Sequence, residues 1–179
     1  MKLVVVITGA SGVELGRKFV DYLPESIEAH VIISNNALTV ESFEKREVTL
    51  HQNENIAASV SSGSFRVDAT AIIPCSMNTL AKIACGISDN LATRVAAVAL
   101  KEQKKLLLAP RELPFSAIAL ENMQKLATLG VIIAPPVMGY YSESDSLEEM
   151  ERFIIGKWYD ALGIENNLYE RWGDTNGIK

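Results

Sequence analysis

Two clusters of hydroxyl and small side chains interrupt apolar runs in this 179-residue chain. Thr8-Gly9-Ala10-Ser11-Gly12 follows LVVVI, and Cys75-Ser76-Met77-Asn78-Thr79 follows ATAIIP. Each reads as a strand delivering hydroxyls and backbone N–H groups onto a helix N-terminus. Unpaired donors and roughly half a positive charge make such a terminus a natural seat for a phosphate or another anion. A dinucleotide site would add Gly-x-Gly-x-x-Gly and an acidic residue about 20 positions on to hold a ribose. Here the next apolar run ends in Ser34-Asn35-Asn36. A short hydroxyl suits a mononucleotide phosphate or a flavin edge, although the first turn taken alone could be just a tight turn.

Cations lie near these turns in the sequence. Arg94 and Lys101 are seven residues apart, about 10 Å along one helix face, and are expected to point the same way. Arg111-Glu112 follows the apolar run LLLAP, at the carboxyl edge where open α/β sheets collect ligands. There an Arg is a candidate for bidentate phosphate or carbonyl recognition. The plainer alternative is two solvated helix cations and a loop salt bridge.

The elements that must position these groups alternate as βα units: strand 2–8, helix 12–23, strand 29–33, helical stretches within 37–60, strand 69–73 and helix 77–85. Helix 89–104, strand 105–109, helix 115–129 and strand 131–134 follow, then a last helix capped by Ser146 with Glu149 three residues on and ending before Gly163. Five near-continuously apolar strands imply a parallel sheet buried on both faces, a three-layer α/β fold of Rossmann-like or flavodoxin-like type. One globular domain over 1–179 is the expected organisation.

A net charge of −5, without a basic run longer than Lys104-Lys105, argues against nucleic acid. MKLVVVIT is too short to span a membrane and precedes a glycine-rich turn, so a cytoplasmic protein is expected. Cys75 and Cys85 lack a CxxC spacing and the chain has two histidines, His30 and His51, so neither a disulfide framework nor a zinc site is expected.

Taken in order, Thr8-Gly9-Ala10-Ser11-Gly12, the block Pro74 to Ala84 with Asp89-Asn90-Leu91, Leu100-Lys101-Glu102, Arg111-Glu112-Leu113-Pro114, Leu120-Glu121-Asn122-Met123, Gly139-Tyr140-Tyr141 and Leu162-Gly163-Ile164 resemble the UbiX-type flavin prenyltransferases. The resemblance covers nearly the whole chain. It implies a metal-independent homo-oligomer, commonly a dodecamer, that attaches a dimethylallyl group from dimethylallyl phosphate to N5 and C6 of reduced FMN. The prenylated FMN then serves a separate UbiD-type decarboxylase. Carried over by position, the flavin sites are Gly9, Ala10, Ser11, Ser34, Ser76, Met77, Asn78, Thr79 and Arg111. The prenyl phosphate sites are Lys101, Arg111, Tyr141 and Lys157, and Glu44, Arg94, Glu112 and Trp172 join the active site.

The chemistry suits these groups. Departure of an allylic phosphate builds charge that preorganised cations and a tyrosine hydroxyl can stabilise, and an indole face suits the developing carbocation. Glu112, with Ser11, is the candidate acid or base. Two positions differ from the family habit: Lys157 stands where Arg is usual, keeping the charge without the bidentate fork, and Ala119 stands where His is frequent. Alternatives are an FMN-dependent cysteine decarboxylase of the same fold, whose catalytic His before the Ser-x-Asn-Thr block has no counterpart here, and a non-catalytic flavin carrier. A short-chain NAD(P) dehydrogenase would need a Tyr-x-x-x-Lys pair that the chain lacks.

Overall fold

The structure, a computed structural model, describes residues 1–34, 37, 43, 46–140 and 146–171. Six parallel strands occur among them: β1 (Lys2–Ile7), β2 (Glu28–Ile33), β3 (Thr49–Gln52), β4 (Ala69–Cys75), β5 (Lys105–Pro110) and β6 (Ile132–Ile133). Their spatial order is β3-β2-β1-β4-β5-β6. The helices are α1 (Val13–Asp21), α2 (Met77–Ala84), α3 (Leu91–Lys101), α4 (Ala117–Thr128) and α5 (Leu147–Leu162), with short 3-10 turns at Ser59–Ser61 and Gly63–Phe65. The chain forms two compact units, Met1–Pro135 and Pro136–Lys179.

Alternation along each strand sorts the first unit's side chains into two layers of core. Val4, Val6, Ile32, Ile72, Leu106 and Leu108 point to one face and pack with apolar residues of α2, α3 and α4. Ile7 points to the other, toward α1, whose Phe19 and Val20 are fully buried. Burying each such aliphatic side chain contributes ~1.5–3 kcal/mol, and helices on both faces are what an all-parallel sheet demands. Gly16 makes the closest approach: a Cβ there would stand 2.2 Å from the Ile73 carbonyl oxygen. Only hydrogen fits between α1 and β4.

The chain winds outward from β1 through β2 to β3, returns to β4 beside β1, and proceeds the other way to β6. The order therefore reverses between β1 and β4, which is where such sheets open a crevice at their carboxyl edge. An irregularity lies close by. Ile72 pairs with Leu108 while Cys75 pairs with Pro110, so β4 spends three residues where β5 spends two. Pro74, which has no N–H for the ladder, sits inside this bulge, where a proline is tolerated.

One expectation fails. The reading of 37–60 as helical misses a strand: among its described residues Thr49–Gln52 is an edge strand on β2, making six strands where five are expected. A short 3-10 turn starts at Ser59, and residues 38–42, 44 and 45 lie outside the described residues. The strand is short and mostly exposed, with Leu50 60% accessible, so it lacks the apolar run that marks the other strands. Among the described residues, no helix is long and apolar enough to cross a membrane.

Candidate active site

Three strand ends are laced together at the switch point. The buried Thr8 hydroxyl donates to the Pro74 carbonyl at 2.8 Å and accepts the Ser76 N–H at 2.8 Å. The Arg111 N–H reaches the Cys75 carbonyl at 3.3 Å, joining the end of β5 to the same junction. On the other side of β1, the Gly9 N–H donates to Ser34 Oγ at 3.1 Å. Gly9, Ser34, Ser76 and Arg111 thus belong to one continuous edge, as the sequence reading expects.

Two helix N-termini open onto that edge. Ser76 caps α2, its Oγ accepting the Thr79 N–H at 3.2 Å and bonding the Thr79 hydroxyl at 2.9 Å. Gly12 starts α1 with φ of 104°, a left-handed conformation open to glycine, and no side chain caps that helix. The N–H groups of Ser11, Gly12, Val13, Met77 and Asn78 have no acceptor among the described residues. Neighbouring helix starts with free donors, flanked by Ser34 and Thr79 hydroxyls, fit the phosphate and polar edge of a flavin mononucleotide. Cys75 takes no part: burial pushes its thiol far above the usual range, leaving an inert side chain in the core.

Arg111 and Glu112 stand exposed where the chain leaves β5, and Glu112 Oε1 accepts the Leu113 N–H at 3.1 Å. Helix α3 runs back across the sheet. Its start is fixed at the carboxyl edge by Asn53, whose backbone carbonyl takes the Leu91 N–H at 2.8 Å and whose side chain takes that of Ala92 at 3.0 Å. Asn90 and Thr93 close a capping box at the same end. Asp89, just before it, is held below the usual carboxylate range by a 2.6 Å bond from Lys82.

The two α3 cations consequently part company. Arg94, one turn in, donates from Nε to the Ser61 carbonyl at 3.3 Å. Lys101 ends the helix at the opposite, amino edge, where its ammonium sits 2.7 Å from Glu102 and holds that carboxylate below its usual range. Between Lys101 and Arg111 lies the whole of β5, six residues long or about 17 Å at ~3.3 Å per residue. Sharing a helix face does not put Lys101 beside the carboxyl-edge turns within one chain.

In the second unit Ser146 caps α5 through the Glu149 N–H at 3.2 Å, and Gly163 ends it with φ of 80°. Lys157 is exposed on α5, its ammonium 6.0 Å from the centre of the Tyr169 ring. Glu44, Tyr141 and Trp172 lie outside the described residues. Thr8 and Asn53 were not singled out as site residues. A hydroxyl ending a strand of pure aliphatics marks Thr8, whereas Asn53 carries no signal until β3 is seen. No group of three potential metal ligands occurs among the described residues.

Comparison with known proteins agrees with this geometry. The flavoprotein family profile matches residues 1–155. Flavin prenyltransferase UbiX of Helicobacter pylori strain J99 is 48% identical over 97% of this chain and 99% of its own length. The crystal structure of AnUbiX (PadA1) in complex with FMN and dimethylallyl pyrophosphate superimposes with a TM-score of 0.90 at 36% identity, covering 99% of this chain and 98% of that one. The dodecameric FMN-dependent UbiX-like decarboxylase of Escherichia coli O157:H7 gives 0.89 at 38% identity, covering 96% and 99%. A Rossmann-type sheet whose switch point presents two helix starts with unpaired N–H donors, matched over nearly its full length by these relatives, places the chain in the flavoprotein family, among the UbiX-type flavin prenyltransferases.

Proposed function

We propose that the enzyme transfers the dimethylallyl group of dimethylallyl phosphate to N5 and C6 of reduced FMN, in the cytoplasm, and that a UbiD-type decarboxylase uses the prenylated FMN. The observation that carries the flavin site is the Thr8 hydroxyl bolting β1 to the β4–α2 junction, which holds both helix starts toward one crevice. In this reading Gly9, Ala10, Ser11, Ser34, Ser76, Met77, Asn78 and Thr79 hold FMN and Arg111 lies between its phosphate and the prenyl phosphate. Two protons leave the flavin as its C–N and C–C bonds form, one adds to the former double bond, and the C–O bond to phosphate breaks with its electron pair on oxygen. Glu112, with Ser11, moves protons at the ring; Glu44, Arg94 and Trp172 complete the site.

Lys101, Tyr141 and Lys157 are assigned to the leaving phosphate. Because β5 separates Lys101 from Arg111 inside one chain, the reading assigns the two to a site shared between copies, in a homo-oligomer of twelve. The test is anaerobic incubation with reduced FMN and dimethylallyl phosphate, followed by flavin mass. A flavin heavier by one dimethylallyl unit supports the transferase; a retained, unaltered flavin overturns it in favour of a carrier. Glu112→Gln should keep FMN and lose transfer, and full activity in that variant reassigns the proton donor.

A further inference from the structure

The start of α3 differs from those of α1 and α2, which leave N–H groups without acceptors among the described residues. Here every donor is taken. Asn53 receives the Leu91 N–H on its carbonyl at 2.8 Å and the Ala92 N–H on Oδ1 at 3.0 Å. Asn90 Oδ1 receives the Thr93 N–H at 3.0 Å, and the Asn90 carbonyl receives that of Arg94 at 2.9 Å. A helix start satisfied in this way is no seat for an anion. What it offers instead is the side chain one turn in, Arg94.

Strand register sets Asn53 in the row of the flavin crevice. Ile7 pairs with Ile33 and Ile33 with Gln52, so Thr8, Ser34 and Asn53 are each the next residue after those pairs. From Asn53 the chain wraps the first turn of α3. It turns three times on the way, the Asn55 N–H bonding the Gln52 carbonyl at 3.0 Å, Ala58 that of Asn55 at 3.1 Å and Ser61 that of Ala58 at 2.9 Å. Val60 is buried in the core that holds Val95 and Ala99 of α3. The Ser61 carbonyl then accepts Arg94 Nε at 3.3 Å. One segment thus holds α3 twice, by backbone at Leu91 and Ala92 and by side chain at Arg94.

The rest of the guanidinium is uncommitted. Arg94 is exposed, and neither Nη group has an acceptor among the described residues. Asp89, the acid just before α3, is occupied by Lys82 at 2.6 Å and by the Thr93 hydroxyl at 3.5 Å. With Nε held, the open edge of the guanidinium is the Nη1–Nη2 fork, whose parallel donors match two oxygens of a phosphate or carboxylate. A fork fixed before its ligand arrives loses less freedom on binding.

We propose that Asn53 is a positioning residue for the transfer reaction: it fixes the first turn of α3 and starts the segment that ends on the Ser61 carbonyl, and so sets the Arg94 fork for an anionic oxygen pair of the reactants. The inference rests on the reading that Arg94 belongs to the active site. Strand β3, helix α3 and the segment between Asn53 and Ser61 all lie in the same compact unit as the flavin crevice.

The test uses the full-length protein and the variants Asn53→Ala, Asn53→Asp, Arg94→Ala, Arg94→Lys and the pair Asn53→Ala/Arg94→Ala. Transfer from dimethylallyl phosphate to reduced FMN gives kcat/KM; FMN affinity, unfolding temperature and amide hydrogen exchange at the start of α3 are measured beside it. Asn53→Ala should speed exchange at Ala92 and lower kcat/KM about tenfold or more, with FMN affinity within about twofold of wild type. Asn53→Asp keeps an acceptor for the Ala92 N–H and should return both protection and activity to within about threefold of wild type. In the Arg94→Ala background Asn53→Ala should add less than about twofold, since it acts through that arginine. Arg94→Lys keeps the charge without the fork and should stay impaired. Multiplicative losses in the pair, a loss in Asn53→Asp equal to that in Asn53→Ala, or wild-type activity of Arg94→Lys overturn the proposal. A parallel fall of FMN affinity, activity and unfolding temperature in Asn53→Ala overturns it as well, marking a merely structural role. Unchanged exchange or activity in Asn53→Ala beside an impaired Arg94→Ala removes the positioning role alone. Wild-type activity of Arg94→Ala, or an unaltered flavin from the wild-type protein, removes the underlying reading and the positioning role with it.

Discussion

The Thr8 hydroxyl and the Ser76 N–H meet at 2.8 Å, and through that bond two strands that are 68 residues apart share one helix start. Thr8→Val keeps the shape of the side chain and strips the Ser76 N–H of its acceptor, while the Pro74 carbonyl keeps the Thr8 backbone N–H at 3.3 Å. A buried N–H or carbonyl left without a partner costs about 1–3 kcal/mol, so unfolding should shift accordingly. FMN affinity should fall about tenfold, the equivalent of ~1.4 kcal/mol. Thr8→Ser should restore both, and FMN titration alongside denaturant unfolding checks it.

Gly16→Ala places a methyl 2.2 Å from the Ile73 carbonyl oxygen. Backbone stands on both sides of the clash, so the helix-propensity gain of Ala over Gly, up to about 1 kcal/mol, is outweighed by an overpacking cost of ~1–3 kcal/mol or more. A lowered unfolding midpoint is expected; an unchanged one would mean that α1 can lift from β4 freely.

Lys101→Ala and Arg111→Ala should each abolish most transfer. If the phosphate site draws Lys101 from one copy and Arg111 from another, mixed oligomers of the two inactive variants recover about a quarter of wild-type activity, the statistical share of sites that receive both intact residues. No recovery after subunit exchange, confirmed by mass, would place both residues in one chain's site.

Lys157→Arg restores the planar fork usual in the family. Donor KM should fall about threefold to tenfold, with kcat changed less, because two parallel bonds to a phosphate replace a point charge. An unchanged KM would show that Lys157 contacts the phosphate through one oxygen or not at all.

The edge strand carries a titration. His30 Nδ1 and His51 Nε2 are 3.1 Å apart, with His30 Nε2 2.9 Å from Glu28 and Phe65 edge-on to the His30 ring. Lys2 also faces the pair, 3.5 Å from Glu28 and 3.9 Å from the Phe65 ring centre. Burial, then the neighbouring His30, lowers the His51 pKa from 6.5. The unfolded chain therefore binds the proton more readily, and stability, complete above about pH 6.5, declines as pH falls below that value toward the folded pKa. His51→Gln should flatten the fall in unfolding midpoint between pH 7 and 5.5, measured by thermal melts. An identical pH profile in the variant would place the titration elsewhere.

Periodicity and turn chemistry were enough for β1, β2, β4, β5 and their helices, because each buried strand is a run of aliphatics closed by a turn. They were not enough for β3, which is held by backbone pairing to β2 and by its own edge, features that composition does not display. The same limit applied at the site. Spacing put Arg94 and Lys101 on one face of α3, but only the packing of that helix on the sheet reveals that its two ends open on opposite edges. The hydroxyl turns were legible because they sit directly at strand ends; the Thr8 bolt between them depends on β1 and β4 being neighbours, a matter of topology.

The extra residue in β4 has a consequence of phase. In a regular strand Ile72 and Cys75, three apart, would face opposite ways, yet both lie in the core under α2, α3 and α4. The bulge at Ile73 and Pro74 inverts the alternation just before the strand gives out. Removing one of those two residues would leave Cys75 two positions after Ile72 in a regular strand, on the face it already occupies. The core side chains would keep their order, and only the bend and added twist of the bulge would be lost. The extra residue thus acts on the direction of the backbone, bending the chain as it leaves β4 for the Ser76 cap.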